Sequence, residues 1–178
     1  MFTIMFGIGG FLNNLWWGGN PDELHPITGL SRRDVYAVQR SWSRIYSDPG
    51  KYGLMLFIKL FRADPETKSF FKTIRNMGEE ELSNSFQFRA HAINLMTSIN
   101  AAVVSLHQPE VVIILMNKLG ESHHKRHVEA KHFEEVKAVL VDILKTELKA
   151  NQSLIESWGK FVDFIYKHIF EKLCDEPD

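Results

Sequence analysis

From residue 31 onward, apolar side chains recur at steps of three and four, the period of helices with one buried face. Val35, Val38, Trp42 and Ile45 form the first such line. It opens at Ser31 with Asp34 three residues on, the spacing of a capping box, and should stop before Pro49-Gly50. A second helix is predicted from about Lys51 to Phe61, with Leu54, Phe57, Leu60 and Phe61 on one face. Asp64-Pro65 pairs a cap with proline at the first helical position, and predicts a short helix ending near Phe70-Phe71. A long helix follows from about Ser85 to Leu106, striped by Phe88, His91, Leu95, Ile99 and Ala102. Pro109 opens the next, with Val112, Leu115, Met116, Leu119 and His123 in line. Two more helices are expected, from about Ala130 to Ala150 and from a second capping box at Ser153–Glu156 to about Cys174. Trp158, Phe161, Ile165 and Ile169 face inward in the last of them. Strand alternation, hairpin turns and internal repeats are not seen. The pattern predicts an all-α fold of six or more packed helices.

Residues 1–29 differ from the rest. The first basic residue is Arg32, so a secretory or mitochondrial targeting signal is poorly matched. Met1, Ile4, Met5, Ile8, Phe11, Leu12 and Leu15 still recur at helical steps, and Trp16 and Trp17 suit a membrane interface. Glycines interrupt the run, which is also too short to span a bilayer. A flexible leader, an interfacial or partner-binding helix through residues 1–17, and a cleaved peptide all stay open. Gly18 to Pro26 reads as a linker. The expected organisation is a leader at 1–29, one domain at 30–174 and a short tail at 175–178.

The chain has 178 residues, enough for one sizeable core, and a formal net charge of -1. Near-neutrality lacks the electrostatic footprint of a nucleic-acid binder. The single cysteine, Cys174, excludes a disulfide framework or a cysteine-based zinc site within one chain. It is expected to be a free thiol, compatible with a reducing cytoplasm. Thirteen phenylalanines and eight histidines stand out.

Most of those histidines need no special reading. His25 lies in the linker, His107 at a helix end, and His132 and His168 fit polar faces. His124 and His127 belong to the basic run HHKRH, which otherwise reads as a solvated helix end favourable to the dipole. His91 and His123 differ, because each stands in line with large apolar side chains on two consecutive long helices. A lone imidazole of this kind is more often a satisfied core residue. A facing pair also fits a flat apolar metal cofactor, for which neutral imidazole is a common axial ligand. Zinc fits less well, since the neighbouring stripe positions are Phe, Leu and Ile.

At these positions the sequence resembles the globin family over about residues 30–172. Trp42 matches the family's first-helix tryptophan, and Pro65 the proline that starts its short third helix. Phe71 matches the phenylalanine that stacks on haem. FRAH ending in His91 matches the distal-histidine motif, LGESH ending in His123 the proximal one, and Trp158 the tryptophan early in the last helix. The stretches RSW, LFRADPET, FRAHAINLM and KLGESHHKRH are similar to intracellular arthropod members and, more distantly, to cytoglobin and neuroglobin.

The resemblance implies about eight helices in a three-on-three sandwich around haem b. His123 would be the proximal iron ligand and His91 the distal histidine. Leu95 and Phe57 would wall the distal pocket, and Leu119 would pack on the proximal face. Val128, Val136 and Leu140 would line the inner edge, with His127 near a propionate. His124 is the runner-up proximal ligand. Two departures appear: Asn94 stands where many members carry a cation, and Val128-Glu129-Ala130 lacks the common corner proline.

The implied function is reversible binding of dioxygen, with CO or NO as further ligands, for storage, transport or supply. The alternative is a haem enzyme, such as a nitric-oxide dioxygenase, nitrite reductase or peroxidase, or a gas sensor. Sustained turnover would call on an external reductase. The oligomeric expectation is a monomer or homodimer.

Overall fold

The computed structural model describes residues 17–173. Cys174, the tail at 175–178 and all but the last residue of the leader helix expected over residues 1–17 lie outside them. The described chain is helical, with one isolated antiparallel bridge between Leu24 and Ser31. Helix α1 is Arg32–Ile45, α2 is Pro49–Ala63, and a 3₁₀ helix covers Pro65–Phe70. Then come α3 (Glu79–Asn84), α4 (Phe86–Val104), α5 (Pro109–His124), α6 (Ala130–Leu148) and α7 (Gln152–Leu173). The principal pairings are α2 with α4, α5 with α7, α1 with α7 and α2 with α6.

Local chemistry explains most boundaries. At Ser31 both halves of the predicted capping box are made: the Ser31 hydroxyl accepts from the Asp34 N–H, and the Ser31 N–H donates to Asp34 at 2.9 Å. Asp48 caps α2, so the helix begins at Pro49, two residues earlier than the apolar line alone predicts. The Asp64-Pro65 signal is right in position, but the short element winds as a 3₁₀ helix. The Ser153 capping box is not formed. The Asn151 side-chain oxygen accepts from the Leu154 N–H at 3.0 Å, and α7 starts at Gln152. Helix α3 has no counterpart in the hydrophobic pattern, because only Leu82 of its six residues is buried.

Residues 17–29, expected to be leader and linker, are tied to α1. The Trp17 carbonyl accepts from Arg32, Asp22 pairs with Arg33 at 2.6 Å, and the Trp17 ring meets Tyr36 edge-on at 5.5 Å.

The core runs through all the long helices. Trp42 and Trp158 are fully buried with rings 5.9 Å apart, joining α1 to α7. Their indole N–H groups are satisfied by Asn100 and Ser41. Two glycines set the closest helix approaches. A β-carbon at Gly53 would lie 2.7 Å from the Ala92 carbonyl oxygen, and one at Gly120 would lie 2.4 Å from that of Ile169. The first fixes α2 against α4, the second α5 against α7.

Asp34 also closes the α1–α7 seam, accepting from Ser157 at 2.7 Å and from Lys160 at 2.9 Å. Burial alone would raise its carboxyl, but the hydrogen bonds from Lys160, Ser31 and Ser157 prevail and hold it at about 2. The lowered value means that its contribution is complete above the ordinary aspartate range near pH 4. It fades as pH falls through about 2. The predicted outcome for Asp34→Asn is a loss of about 2 kcal/mol at pH 7. The difference from the native chain should shrink between about pH 4 and 2, which urea titrations at stepped pH would read.

Candidate functional site

The stripes on α4 and α5 each resolve into two lines, one residue apart around the helix. On α4, Phe88, Ala92 and Met96 are buried, and the Ala92 carbonyl and Met96 bear on Gly53 of α2. The neighbouring line holds His91, Leu95 and Ile99, whose apolar members are only partly buried. On α5, Val112, Met116 and Gly120 are buried, Gly120 against α7, and the neighbouring line is Leu115, Leu119 and His123. Each helix therefore spends one face on the core and turns a second, apolar-plus-histidine face elsewhere.

His91 stands between Phe57 of α2 and Phe71, which follows the 3₁₀ helix; the ring centroids are 5.2 and 4.9 Å away. Phe57 and Phe71 meet edge-on at 5.5 Å, and Phe61 and Phe88 complete the aromatic wall. His91 keeps an exposed surface, but the part of its ring covered by these side chains is desolvated, which lowers its proton affinity, and the charges of His123 and Arg126 lower it further.

The His123 Nδ1–H donates to the Leu119 carbonyl at 2.8 Å, one turn back on α5. That bond places the proton on Nδ1 and leaves the Nε2 lone pair free. Its ring meets Phe133 of α6 at 5.2 Å, and Phe133 is packed by Tyr166 and Phe170. The buried Tyr166 hydroxyl donates to the Phe133 carbonyl, and burial, then the Glu134 charge, pushes the phenol's pKa up. For His123, burial lowers proton affinity most, the Leu119 carbonyl opposes it, and Arg126 adds to it. Both rings are therefore kept neutral, the form that ligates a metal.

Other expected site residues distribute unevenly. Leu95, Leu119, Val128 and Val136 are partly buried against the core, and Leu140 is buried. His127 is exposed and adopts a positive φ of 58° at the turn after α5. His124 turns the other way from His123, donating to the Leu173 carbonyl at the end of α7 at 2.8 Å. His132 and His168 are not polar-face residues: both are buried. His132 accepts the Glu129 N–H and abuts Phe70 at 4.8 Å, while His168 meets Phe164 and Glu171.

One residue beside the site, Phe133, escapes the sequence pattern. Phe133 lies three positions before Val136, a spacing that puts both on one face of α6. Arg126 is exposed, as expected of a solvated helix end. Its guanidinium is held by the carbonyl and hydroxyl of Ser122, one turn earlier, and its charge lowers the proton affinity of both histidines.

The donor set fits haem. Two neutral imidazoles sit on consecutive helices, one with its Nε2 fixed free, flanked by aromatic and aliphatic side chains and a cation. Among the described residues, no cluster of three or more His, Cys, Asp or Glu side chains could hold a metal ion without such a cofactor.

An all-helical sandwich with such a histidine pair between two helices defines a haem-protein architecture. Residues 54–169 match the family model described as Globin, and the chain belongs to the globin family. It is similar to cytoglobin-2 of Danio rerio, with 30% identity over 148 residues covering 81% of each chain. A Drosophila melanogaster globin structure superposes with TM-score 0.76 at 26% identity, covering 80% of this chain and 94% of that one. A second, described as a hexa-coordinate hemoglobin binding cyanide, gives TM-score 0.76 and 26% identity, covering 79% and 94%. No helix among the described residues is long and apolar enough to cross a membrane.

Proposed function

We propose that the protein holds haem b between His91 and His123 and binds dioxygen reversibly, with CO and NO as competing ligands, as an oxygen store or supply. When bound, haem supplies the iron at which a diatomic gas is held. The observation that carries the residue assignment is the bond from His123 Nδ1–H to the Leu119 carbonyl, which aims a free Nε2 from a partly buried, neutral ring. His123 is the proximal ligand in this reading. Leu119 packs beside it, and Val128, Val136 and Leu140 line the inner edge.

His91 is the distal residue, with Phe57, Phe71 and Leu95 forming apolar walls that exclude water. Its ring offers an N–H to a charged or polar ligand, a hydrogen bond contributing about 1.5–3 kcal/mol, or tenfold or more in affinity. His127, exposed at the turn, is the rim residue. The globin domain comprises residues 30–174. A reducing cytoplasmic setting is supported by the single cysteine.

We further assign His91 as an internal sixth ligand when no gas is bound. The crowding of Phe57 and Phe71 around its ring supports this, as does the likeness to a hexa-coordinate fly protein. The expected result for His91→Leu is conversion of the unliganded ferrous spectrum from six-coordinate low-spin to five-coordinate high-spin. A native spectrum already of the five-coordinate type would refute the assignment.

A further inference from the structure

We propose that the outer face of α1, with the apolar segment that ends at Trp17, docks the protein onto the surface of an anionic lipid bilayer. Four of the chain's eight arginines, Arg32, Arg33, Arg40 and Arg44, fall on or at the start of this one helix. Arg33, Tyr36, Arg40 and Arg44 follow at steps of three and four and are all exposed, opposite the buried line of Val38, Trp42 and Ile45. The only carboxylate on α1, Asp34, is turned inward to Lys160. Asp22 pairs with Arg33, but no ion pair among the described residues engages Arg32, Arg40 or Arg44. In a chain of net charge -1, this is a concentrated positive face.

Its aromatic residues have the chemistry of a membrane interface. The Arg33 guanidinium lies 5.6 Å from the Trp17 ring centre, and Trp17 meets Tyr36 edge-on. Arg40 lies 5.8 Å over Tyr36 and donates to its hydroxyl at 2.8 Å. Trp, Tyr and Arg together favour the headgroup layer.

The described chain begins on this same face. The sixteen residues before it carry seven apolar positions at helical steps and no basic residue. Interfacial binding strengthens when burial of apolar side chains is joined by attraction of basic residues to anionic lipids. The sequence of residues 1–16 lacks basic residues, and the fold supplies them beside Trp17. A nucleic acid would use the arginines but not the apolar segment, so a lipid surface accounts for both.

The test is cosedimentation of the full, haem-loaded chain with vesicles of phosphatidylcholine alone or with about a third phosphatidylserine. Binding should prefer the anionic vesicles at least about tenfold and weaken with salt. Arg40→Gln with Arg44→Gln should weaken it about 25-fold, near fivefold per charge, while the Soret band stays unchanged. Deleting residues 1–16 should weaken binding to both vesicle types. Equal binding to neutral and anionic vesicles, indifference to the arginine pair, or no binding would overturn the proposal. So would tighter capture of a mixed-sequence DNA duplex than of vesicles.

Discussion

Replacing His123 by Ala is expected to speed haem loss by more than about 100-fold, since even indirect supports of a metal ligand are worth 10–100-fold in affinity. Transfer of haem to an acceptor apoprotein, followed at the Soret maximum, reads this directly. The apoprotein itself should fold normally. His123 is only partly buried, its hydrogen bond is local to α5, and the ring contact to Phe133 is one of three that Phe133 makes. Unchanged far-UV circular dichroism of the apo variant would therefore separate a ligand role from a structural one. Added free imidazole should restore part of the native spectrum. If His123→Ala retained haem as firmly as the native chain, the ligand would have to be another histidine. His124 would be a poor substitute, because it is engaged with the Leu173 carbonyl on the opposite side.

The second large effect concerns Gly120, one turn before His123. An added β-carbon would sit 2.4 Å from the Ile169 carbonyl oxygen and 2.8 Å from the Lys172 β-carbon. The nearest obstacle is backbone, so a rotamer change cannot relieve it and α5 must move off α7. Overpacking of this kind costs about 1–3 kcal/mol, and the rigid neighbour puts Gly120→Ala at the upper end. The expected fall in Tm is roughly 10 °C. Haem retention should fall as well, because the displaced helix carries His123. Gly159, inside α7, is the control: nothing lies within 4 Å of its added β-carbon. Gly159→Ala should stabilise by about 0.5–1 kcal/mol through helix propensity and reduced unfolded-state entropy. Thermal unfolding of the two variants side by side should move in opposite directions.

These cases mark what a hydrophobic pattern can and cannot disclose. The long helices were legible because each buries a stripe, and the ends at Ser31, Asp64-Pro65 and Ser85 because their side chains cap backbone N–H groups. The histidine pair was legible because an imidazole in an apolar line is conspicuous. Gly53 and Gly120 were not, since a glycine in a helix signals only lost propensity until the partner backbone is known. His132 and His168 were misread for a related reason. Their burial depends on Phe70 arriving from the 3₁₀ helix, and on Phe164 and Glu171 within α7.

Stripes also blur two faces into one. Residues 91 and 92 differ by about 100° around the helix, so a line of apolar residues does not say which of them meets the core. Ala92 meets α2, while His91 meets the phenylalanine wall.

The central claim is that haem sits between His91 and His123 with both imidazoles available to iron. Optical spectra of the reconstituted protein in the ferric, ferrous and CO-bound states test it most directly. The expected result is a Soret band with one haem per chain, a six-coordinate low-spin ferrous form without added ligand, and its conversion to a CO complex. No Soret absorption after reconstitution, or a six-coordinate ferrous spectrum that survives His91→Leu unaltered, would contradict it.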